Sequence, residues 1–261
     1  MRDVSGSVRA GLFSRVALPL VLAVGLWASG ATASDHPPAV ESAAPIDLSS
    51  SQQQSPADTR RRADFGGEAL SAEAQEVAYW VIQSADNRNL PFVVIDKVEA
   101  RVYVFHADGR LRGATSALLG LAIGDHTVPG IGQRKLSSIR PEERTTPAGR
   151  FMASIDRDIH GVDVLWVDYD SAVSLHRVVP GTPKERRAQR LASASPADKR
   201  ITYGCINVPV RFFEEVVSPA LKGSYSVVYV LPETQPARAL FGSFPVPDPA
   251  AGSALESASL R

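Results

Sequence analysis

The chain carries its only cysteine in the stretch Ile201-Thr202-Tyr203-Gly204-Cys205-Ile206-Asn207-Val208-Pro209. A β-prone run precedes the thiol and a helical pattern that starts with Pro209 follows it, so the pattern predicts a strand-to-helix junction. Backbone N–H groups at such a junction favour a thiolate or an oxyanion. Gly204 has no side chain, which would let an acyl group approach closely. A buried structural cysteine is the alternative, because free cysteine is among the most buried residue types.

The first 33 residues are typical of an export signal. Three arginines precede the apolar run Val16 to Ala28, and Ala31-Thr32-Ala33 offers a small-x-small cleavage site. The apolar run is shorter than the roughly 20 residues that span a bilayer, so no stable membrane span is expected. We therefore expect an exported protein of the periplasm or cell envelope.

Charge and cysteine content narrow the function further. Removing residues 1–33 takes away three Arg and one Asp, which leaves 25 basic and 27 acidic residues. A near-neutral chain argues against a nucleic-acid partner. An exported chain with a single cysteine cannot form an internal disulfide, so its free thiol in an oxidising compartment is a candidate reactive group.

Composition divides the chain into a central domain and two flanking segments. Residues 34–65 are rich in Ser, Pro, Ala and Gln, which is typical of a disordered linker, and the tail 233–261 has a similar composition. The domain between them, residues 66–232, is predicted to begin with an amphipathic helix over 71–85 that has Ser71 as its N-cap.

The central domain is predicted to be mainly β, because β-branched and aromatic residues recur in short runs between turn residues. A long Gly- and Pro-rich segment over 118–144 predicts a functional loop. Short helices are expected at 182–191 and 209–221. The predicted strands are 92–96, 100–106, 151–155, 162–168, 172–178 and 226–231.

A cysteine nucleophile needs a base, and histidine is the usual one because its pKa lies near neutrality. Among the five histidines, His176 ends a predicted strand, on the same face as Ser174. The residues alone leave two interpretations of His176 open, a structural histidine and a base. The other histidines lie in the linker, at turns or in loops, at positions 36, 106, 126 and 160.

Motifs for other chemistries are missing from the sequence. No G-x-G-x-x-G opens a helix, no Gly-Lys-Ser/Thr ends a phosphate loop, and no G-x-S-x-G is present. His160 with Asp163, Asp168 and Asp170 has neither the His-Glu-x-x-His pattern nor a calcium-loop spacing. No metal site and no cofactor is therefore predicted.

Three segments together resemble the L,D-transpeptidase catalytic domain, the YkuD family of bacterial cell-wall enzymes. They are Thr146-Pro147-Ala148-Gly149-Arg150-Phe151, the strand that ends in His176, and the stretch around Cys205. The resemblance covers about residues 90–232. It implies a mainly β fold, a mixed sheet of sandwich-like or barrel-like form with a few short helices, and peptidoglycan stem peptides as the partner.

The resemblance also implies roles for individual residues. Cys205 would attack a stem-peptide amide and form a thioester, with His176 as the base. Backbone N–H groups of Gly204 and Cys205, with Tyr203, would form an oxyanion hole, and Thr202 and Asn207 would support the site. The family usually has histidine where this chain has Tyr203, and the interval 177–202 is longer than usual.

The segment 177–200 is strongly basic, with seven basic and two acidic residues. Its candidate docking residues for stem-peptide carboxylates are Arg186, Arg187, Arg190 and Arg200, and an ordinary solvated surface is the alternative. Three functions stay open at this point. They are acyl transfer to an amine in cross-linking or remodelling, hydrolysis as an L,D-carboxypeptidase or endopeptidase, and non-catalytic peptidoglycan binding.

Overall fold

The computed structural model of the protein describes residues 62–243. The predicted export signal, residues 34–61 of the predicted linker and residues 244–261 of the predicted tail lie outside the described residues. Across residues 62–243, no helix combines the length and the apolar character that crossing a membrane requires.

The described chain is mainly β, as predicted. The α-helices are α1 (Ala72–Ser84), α2 (Arg187–Ala192), α3 (Val210–Phe212), α4 (Ser218–Leu221) and α5 (Ala237–Phe241), and a π-helical turn (Phe213–Val217) joins α3 to α4. The strands are β1 (Phe92–Asp96), β2 (Arg101–Phe105), β3 (Leu111–Ser116), β4 (Leu119–Gly120), β5 (Gly149–Arg157), β6 (Asp163–Asp168), β7 (Val173–Arg177), β8 (Arg200–Thr202), β9 (Ile206–Val208) and β10 (Tyr225–Val230). Short 3-10 helices cover Ile131–Gln133, Leu136–Ser138, Pro141–Glu143, Pro183–Glu185 and Pro196–Lys199.

Eight strands form one mixed sheet in the order β3-β2-β1-β10-β5-β6-β7-β9. β1 pairs in parallel with β10, and β7 pairs in parallel with β9, while the other neighbours are antiparallel. β4 and β8 form a second, two-stranded parallel sheet. Because β9 follows Cys205 directly and lies beside β7, the topology brings the cysteine next to the strand that carries His176.

The large sheet buries apolar side chains on both faces. On one face, residues such as Val93, Leu165 and Leu175 pack with Phe213 and Leu221 of the α3–α4 segment. On the other face, α1 covers β1, β2 and β10, where Phe92 and Tyr229 are buried. Two hydrophobic layers therefore hold the sheet between the helices.

Helix α1 covers only part of its face of the sheet. Tyr225, Ser154, Trp166 and Ser174 are successive cross-strand partners, which places Ser174 and its i+2 neighbour His176 on the α1 side. The cluster under α1 includes no residue of β6 or β7. This end of the face is left for the candidate site.

The structure contains the helix predicted over 71–85, with Ser71 as its N-cap, but the ordered domain begins earlier than predicted. Ser71 caps α1 by accepting a hydrogen bond from the N–H of Ala74 at 3.1 Å. The linker prediction extends too far, because Asp64 exchanges backbone hydrogen bonds with the β2–β3 turn and the Phe65 ring packs 6.2 Å from Phe105. Ala63 and Phe65 are the apolar residues that dock this otherwise polar stretch on the sheet.

The predicted disordered tail is wrong for residues 233–243. Helix α5 lies there, with Ala237 buried and the Phe241 ring stacked 6.4 Å from Trp80. The predicted helix over 182–191 is also interrupted, because Arg186 adopts a left-handed φ of 46° between a 3-10 helix and α2. Composition and periodicity do not predict these tertiary contacts or the break in the helix at Arg186.

Candidate active site

Cys205 lies in the turn between β8 and β9 and is partly exposed. The predicted strand-to-helix junction is therefore wrong, because residues 206–208 form a strand and α3 begins only at Val210. The strand forms because Ile206 pairs with Leu175 across the parallel β7–β9 ladder. The environment of the thiol is set by the neighbouring strand β7 and not by a helix N-terminus.

The turn is held by the side chain of Thr202. Its hydroxyl donates to the carbonyl oxygen of Cys205 at 2.7 Å and accepts from the N–H of Gly204 at 3.1 Å. Gly204 has φ of 131°, and a Cβ there would lie 2.7 Å from the carbonyl oxygen of Thr145. Glycine is required by this backbone conformation and contact. The space that was expected to admit an acyl group is filled by the Thr145 carbonyl.

Thr146 fixes the peptide unit that precedes the thiol. Its buried hydroxyl donates to the carbonyl oxygen of Gly204 at 2.8 Å and accepts from the N–H of Gly120 at 2.9 Å. In a trans peptide the N–H points opposite to the carbonyl, so the N–H of Cys205 is directed away from Thr146. This role was missed from the sequence, although Thr146 begins the Thr-Pro-x-Gly motif.

The predicted oxyanion hole is partly occupied by protein. The N–H of Gly204 already donates to Thr202. Within residues 62–243, the N–H of Cys205 donates to no protein acceptor. The oxyanion role stays a prediction for the N–H groups of Cys205 and Tyr203.

His176 is held in one orientation by two hydrogen bonds. Nδ1 lies 2.8 Å from the carbonyl oxygen of Arg177, and Nε2 lies 3.0 Å from Nδ2 of Asn207, its cross-strand partner. A carbonyl oxygen only accepts, so Nδ1 carries the proton and Nε2 of the neutral ring carries the lone pair. That lone pair is the part of the ring a base uses.

The thiol of Cys205 interacts with four groups of β7 and the turn before it, one of which is the backbone N–H of Ser174. Its sulfur lies 3.8 Å from Oγ of Ser174 and 3.7 Å from the carbonyl oxygen of Ala172, and it also interacts with the His176 ring. Burial raises the pKa of Cys205, but the hydrogen bond and charge of His176 together lower it below the ordinary value. Burial lowers the pKa of His176, and the interaction with Cys205 raises it overall. These opposite shifts favour a thiolate–imidazolium pair.

Tyr203 projects from the turn and is 36% exposed. The guanidinium of Arg144 lies 4.0 Å from the centre of its ring, and Arg144 Nη2 donates to the carbonyl oxygen of Ile139 at 3.0 Å. The long loop predicted to be functional thus reaches the cysteine turn through Arg144. The phenol makes its contact through its ring face, which a phenylalanine also has.

The structure separates the four arginines that were predicted to dock substrate. Arg200 binds Glu233 and donates to the carbonyl oxygen of Lys97 at 2.8 Å, so its guanidinium is used inside the protein. Arg190 donates to the carbonyl oxygens of Glu185 and Asp198. Arg187 binds Glu185 and Asn207. Arg186 is exposed, and its side chain forms no hydrogen bond or ion pair within residues 62–243. Docking stays a prediction for Arg186.

Two cavities border the basic insert. The larger, about 570 Å³, has mainly apolar walls that include Val178, Pro180 and Val210, with Arg186 and Arg187 also lining it. A smaller one of about 300 Å³ is lined by Arg186, Gln189, Arg190, Ser193 and Asp198. Arg186 therefore lines both cavities.

Residues 62–243 contain no group of three His, Cys, Asp or Glu side chains arranged to hold a metal ion. Near His160, Oδ1 of Asp158 accepts from the N–H groups of His160 and Val162, both at 2.9 Å, and Asp163 pairs with Lys222 at 2.7 Å. The acidic residues around His160 therefore cap a turn and form a surface ion pair.

No protein-family model and no curated protein sequence matches the chain. Among solved structures, the catalytic domain of an L,D-transpeptidase from E. faecium is similar with 15% identity and a TM-score of 0.32, over 54% of this chain and 96% of that one. The helical cell shape determining protein Pgp2 from Campylobacter jejuni has 16% identity and a TM-score of 0.38, over 63% of this chain and 57% of that one. An L,D-transpeptidase from Mycobacterium smegmatis has 14% identity and a TM-score of 0.30, over 54% of this chain and 58% of that one.

The chain thus spans less than two thirds of the length of Pgp2 and of the M. smegmatis protein. Within residues 62–243, the partly exposed turn carries an ionisable thiol and a backbone N–H without a protein acceptor, and the oriented His176 lies beside it on β7.

Proposed function

We propose that the protein is an exported acyltransferase of the cell envelope that uses Cys205 as nucleophile and His176 as base on peptidoglycan stem peptides. The observation that carries this proposal is the pairing of the two groups. The Cys205 thiol interacts with an imidazole whose Nδ1–H is held by the carbonyl of Arg177, so Nε2, whose lone pair faces the Asn207 amide, is the nitrogen that takes the proton. The substrate class rests on the motifs that resemble the L,D-transpeptidase domain.

The first half-reaction forms a thioester. His176 Nε2 accepts the thiol proton, and the sulfur of Cys205 attacks the carbonyl carbon of a stem-peptide amide. The C–N bond of the resulting tetrahedral intermediate breaks. The imidazolium returns its proton to the leaving amine, so charge and protons balance.

The second half-reaction releases the acyl group. An acceptor amine attacks the thioester carbonyl, His176 Nε2 takes the amine proton, and the C–S bond breaks to restore the thiolate–imidazolium pair. The same steps with water as acceptor give hydrolysis.

The oxyanion of each tetrahedral intermediate needs hydrogen-bond donors that are fixed in advance. The N–H of Cys205 fits this role because Thr146 holds the preceding carbonyl and Thr202 holds the following one. A donor that two side chains already hold in place needs little reorganisation when the oxyanion forms. The N–H of Gly204 is less suited, since Thr202 already accepts from it.

The direct test is to incubate the purified chain with tetrapeptide-containing muropeptides and to identify the products by mass spectrometry. We expect an acyl adduct on Cys205 in the intact protein and a new product in which donor and acceptor are joined. The matched control is Cys205→Ala, which removes one atom and should form neither adduct nor product. An adduct that yields only shortened stems would replace transfer with hydrolysis, and a chain that forms no adduct would contradict cysteine catalysis altogether.

A further inference from the structure

Arg187, the first residue of α2, connects the basic insert to the catalytic histidine. Its side chain is only 15% exposed. Nη1 donates to Oδ1 of Asn207 at 3.0 Å, and Nε donates to Oε2 of Glu185 at 2.5 Å. Asn207 is buried, with 1% of its surface exposed, and its other amide atom lies 3.0 Å from His176 Nε2.

The chemistry of arginine fixes which way the Asn207 amide faces. A guanidinium has donors and no acceptor, so the amide atom against Arg187 is the oxygen. The NH₂ group therefore faces His176 and donates to the Nε2 lone pair. This agrees with the tautomer required by the carbonyl of Arg177, which places the ring proton on Nδ1.

We propose that Arg187 is a positioning residue that prevents the Asn207 amide from flipping, so that an NH₂ group always faces Nε2 of His176. The inference rests on the proposed function, in which Nε2 carries the proton during acyl transfer. When Nε2 is protonated, two donors face each other. A flipped amide would relieve this conflict by offering its oxygen, but the flip would turn the NH₂ group toward Arg187 and create a second conflict there.

The groups around His176 act in both directions. The interaction with Cys205 favours the imidazolium, and the carboxylate of Asp158 lies close enough to interact with the imidazolium charge as well. Burial and the positive charge of Arg187 lower the pKa of His176. Arg177 turns its own guanidinium to Glu214 and to the carbonyl of Asp163. Arg187 therefore opposes the effect of Cys205 through both its charge and the amide it holds.

This opposition has a catalytic consequence. An imidazolium that is less stable is a stronger acid, and it gives its proton more readily to the leaving amine in thioester formation. The break at Arg186 between the 3-10 helix and α2, with Glu185 on the preceding turn, directs the Arg187 guanidinium at Asn207. The insert thus contributes to the proton chemistry of the site.

The test measures the pKa of His176 by nitrogen NMR in the full chain carrying Cys205→Ala, so that the thiol does not titrate with the ring. In this background the pKa should lie below the ordinary value of about 6.5. Arg187→Met, which keeps the length and removes the charge and the donor, should raise the pKa by about one unit, a tenfold change in proton affinity. The neighbouring Arg186→Met is the control and should leave the pKa where it was.

A second pair of variants separates the held amide from the charge. With Asn207→Ala in the background, Arg187→Met should raise the His176 pKa by less than half as much, because only the charge is then lost. An equal rise with and without Asn207 would show that charge alone acts, and the inference would be overturned. A His176 pKa above about 6.5 in the Cys205→Ala chain would overturn it without any further substitution. None of these measurements depends on turnover, so the muropeptide assay can fail while this result stands, or the reverse.

Discussion

Two clusters of charged side chains flank the cysteine turn, and they differ in how their charges are used. The buried cluster consists of Lys97, Asp125, Arg200 and Glu233, and the insert cluster consists of Arg186, Arg187 and Arg190. Lys97 is fully buried and donates to Asp125 at 2.8 Å and to the carbonyl oxygens of Gly124 and Thr146 at 2.6 and 3.0 Å. In the insert, Arg187 donates to the side chain of Asn207, and Arg186 is exposed to solvent.

Burial decides what an arginine or lysine does near this site. The buried cluster acts on the backbone, because Lys97 holds the carbonyl of Thr146 and Thr146 in turn holds the carbonyl of Gly204. A substitution there should first change stability. We propose that the insert cluster acts on His176 or on the substrate, so substitutions there should first change proton chemistry or affinity.

The largest effect is expected at the proposed catalytic pair, Cys205 and His176, which lies between the two clusters. Cys205→Ala should abolish turnover, and His176→Ala should lower kcat by about a thousandfold or more, which is roughly 4 kcal/mol of barrier. Steady-state kinetics on a tetrapeptide donor would measure both. Thermal unfolding of the same variants is the control, since a loss of activity that follows a loss of folding would not identify catalytic residues.

The next largest effect is expected in the buried cluster. Lys97→Met leaves the carboxylate of Asp125 buried without its cation, whereas Glu233 keeps Arg200, and losing one partner of a buried pair costs about 3–5 kcal/mol of unfolding free energy. Lys222→Met, which breaks the exposed pair with Asp163, should cost less than about 1 kcal/mol. Denaturant unfolding compares the two variants, and equal losses would show that burial does not separate them.

The same cluster predicts how stability depends on pH. Burial raises the pKa of Asp125, but hydrogen bonds from Lys97 and the 233–234 segment lower it to about 2. Because the folded pKa is below the unfolded value, the stabilisation is present above about pH 4 and is lost as the pH falls toward 2, about 2 kcal/mol in all. Lys97→Met should lose much of this acid-dependent term, whereas Lys222→Met should keep it. A flat acid profile in the unsubstituted chain would contradict the assigned role of Asp125.

Local patterns predicted the parts of the fold that local physics controls. Helix α1 with its Ser71 cap follows from helical periodicity, and Ser174 and His176 share a face because strand side chains alternate. Strand β9 could not be predicted in this way, because three residues before a proline become a strand only by pairing with β7. The roles of Arg187 and Arg200 also depend on partners far along the chain, so a basic composition alone could not separate them.

Tyr203 belongs to neither cluster and contacts Arg144 through its ring. Tyr203→Phe keeps the ring and the backbone N–H, so kcat should stay within about tenfold, a barrier change of roughly 1.4 kcal/mol or less. Tyr203→His should stay within the same range. The matched measurement is His176→Ala under the same conditions. If Tyr203→Phe alone costs as much as His176→Ala, the phenol belongs to the proton path and the roles proposed for the pair have to change.

The smallest effect is expected at Arg186, the insert arginine whose side chain is exposed and has no partner within residues 62–243. If it docks a carboxylate of the stem peptide, Arg186→Gln should raise KM by about 1.4- to fivefold, corresponding to the roughly 0.2–1 kcal/mol of an exposed ion pair. The effect on KM should shrink as salt is added, because salt screens the charges of an exposed pair. The screening length is roughly 10 Å at 0.1 M ionic strength. Arg200→Gln is the informative partner variant, since its guanidinium is already bound to Glu233 and the carbonyl of Lys97. It should lower the free energy of unfolding and show no salt-dependent change in KM. A salt-dependent KM effect that is larger for Arg200→Gln than for Arg186→Gln would mean that exposure does not decide which arginine binds the substrate. The two clusters would then not differ in function in the way proposed here.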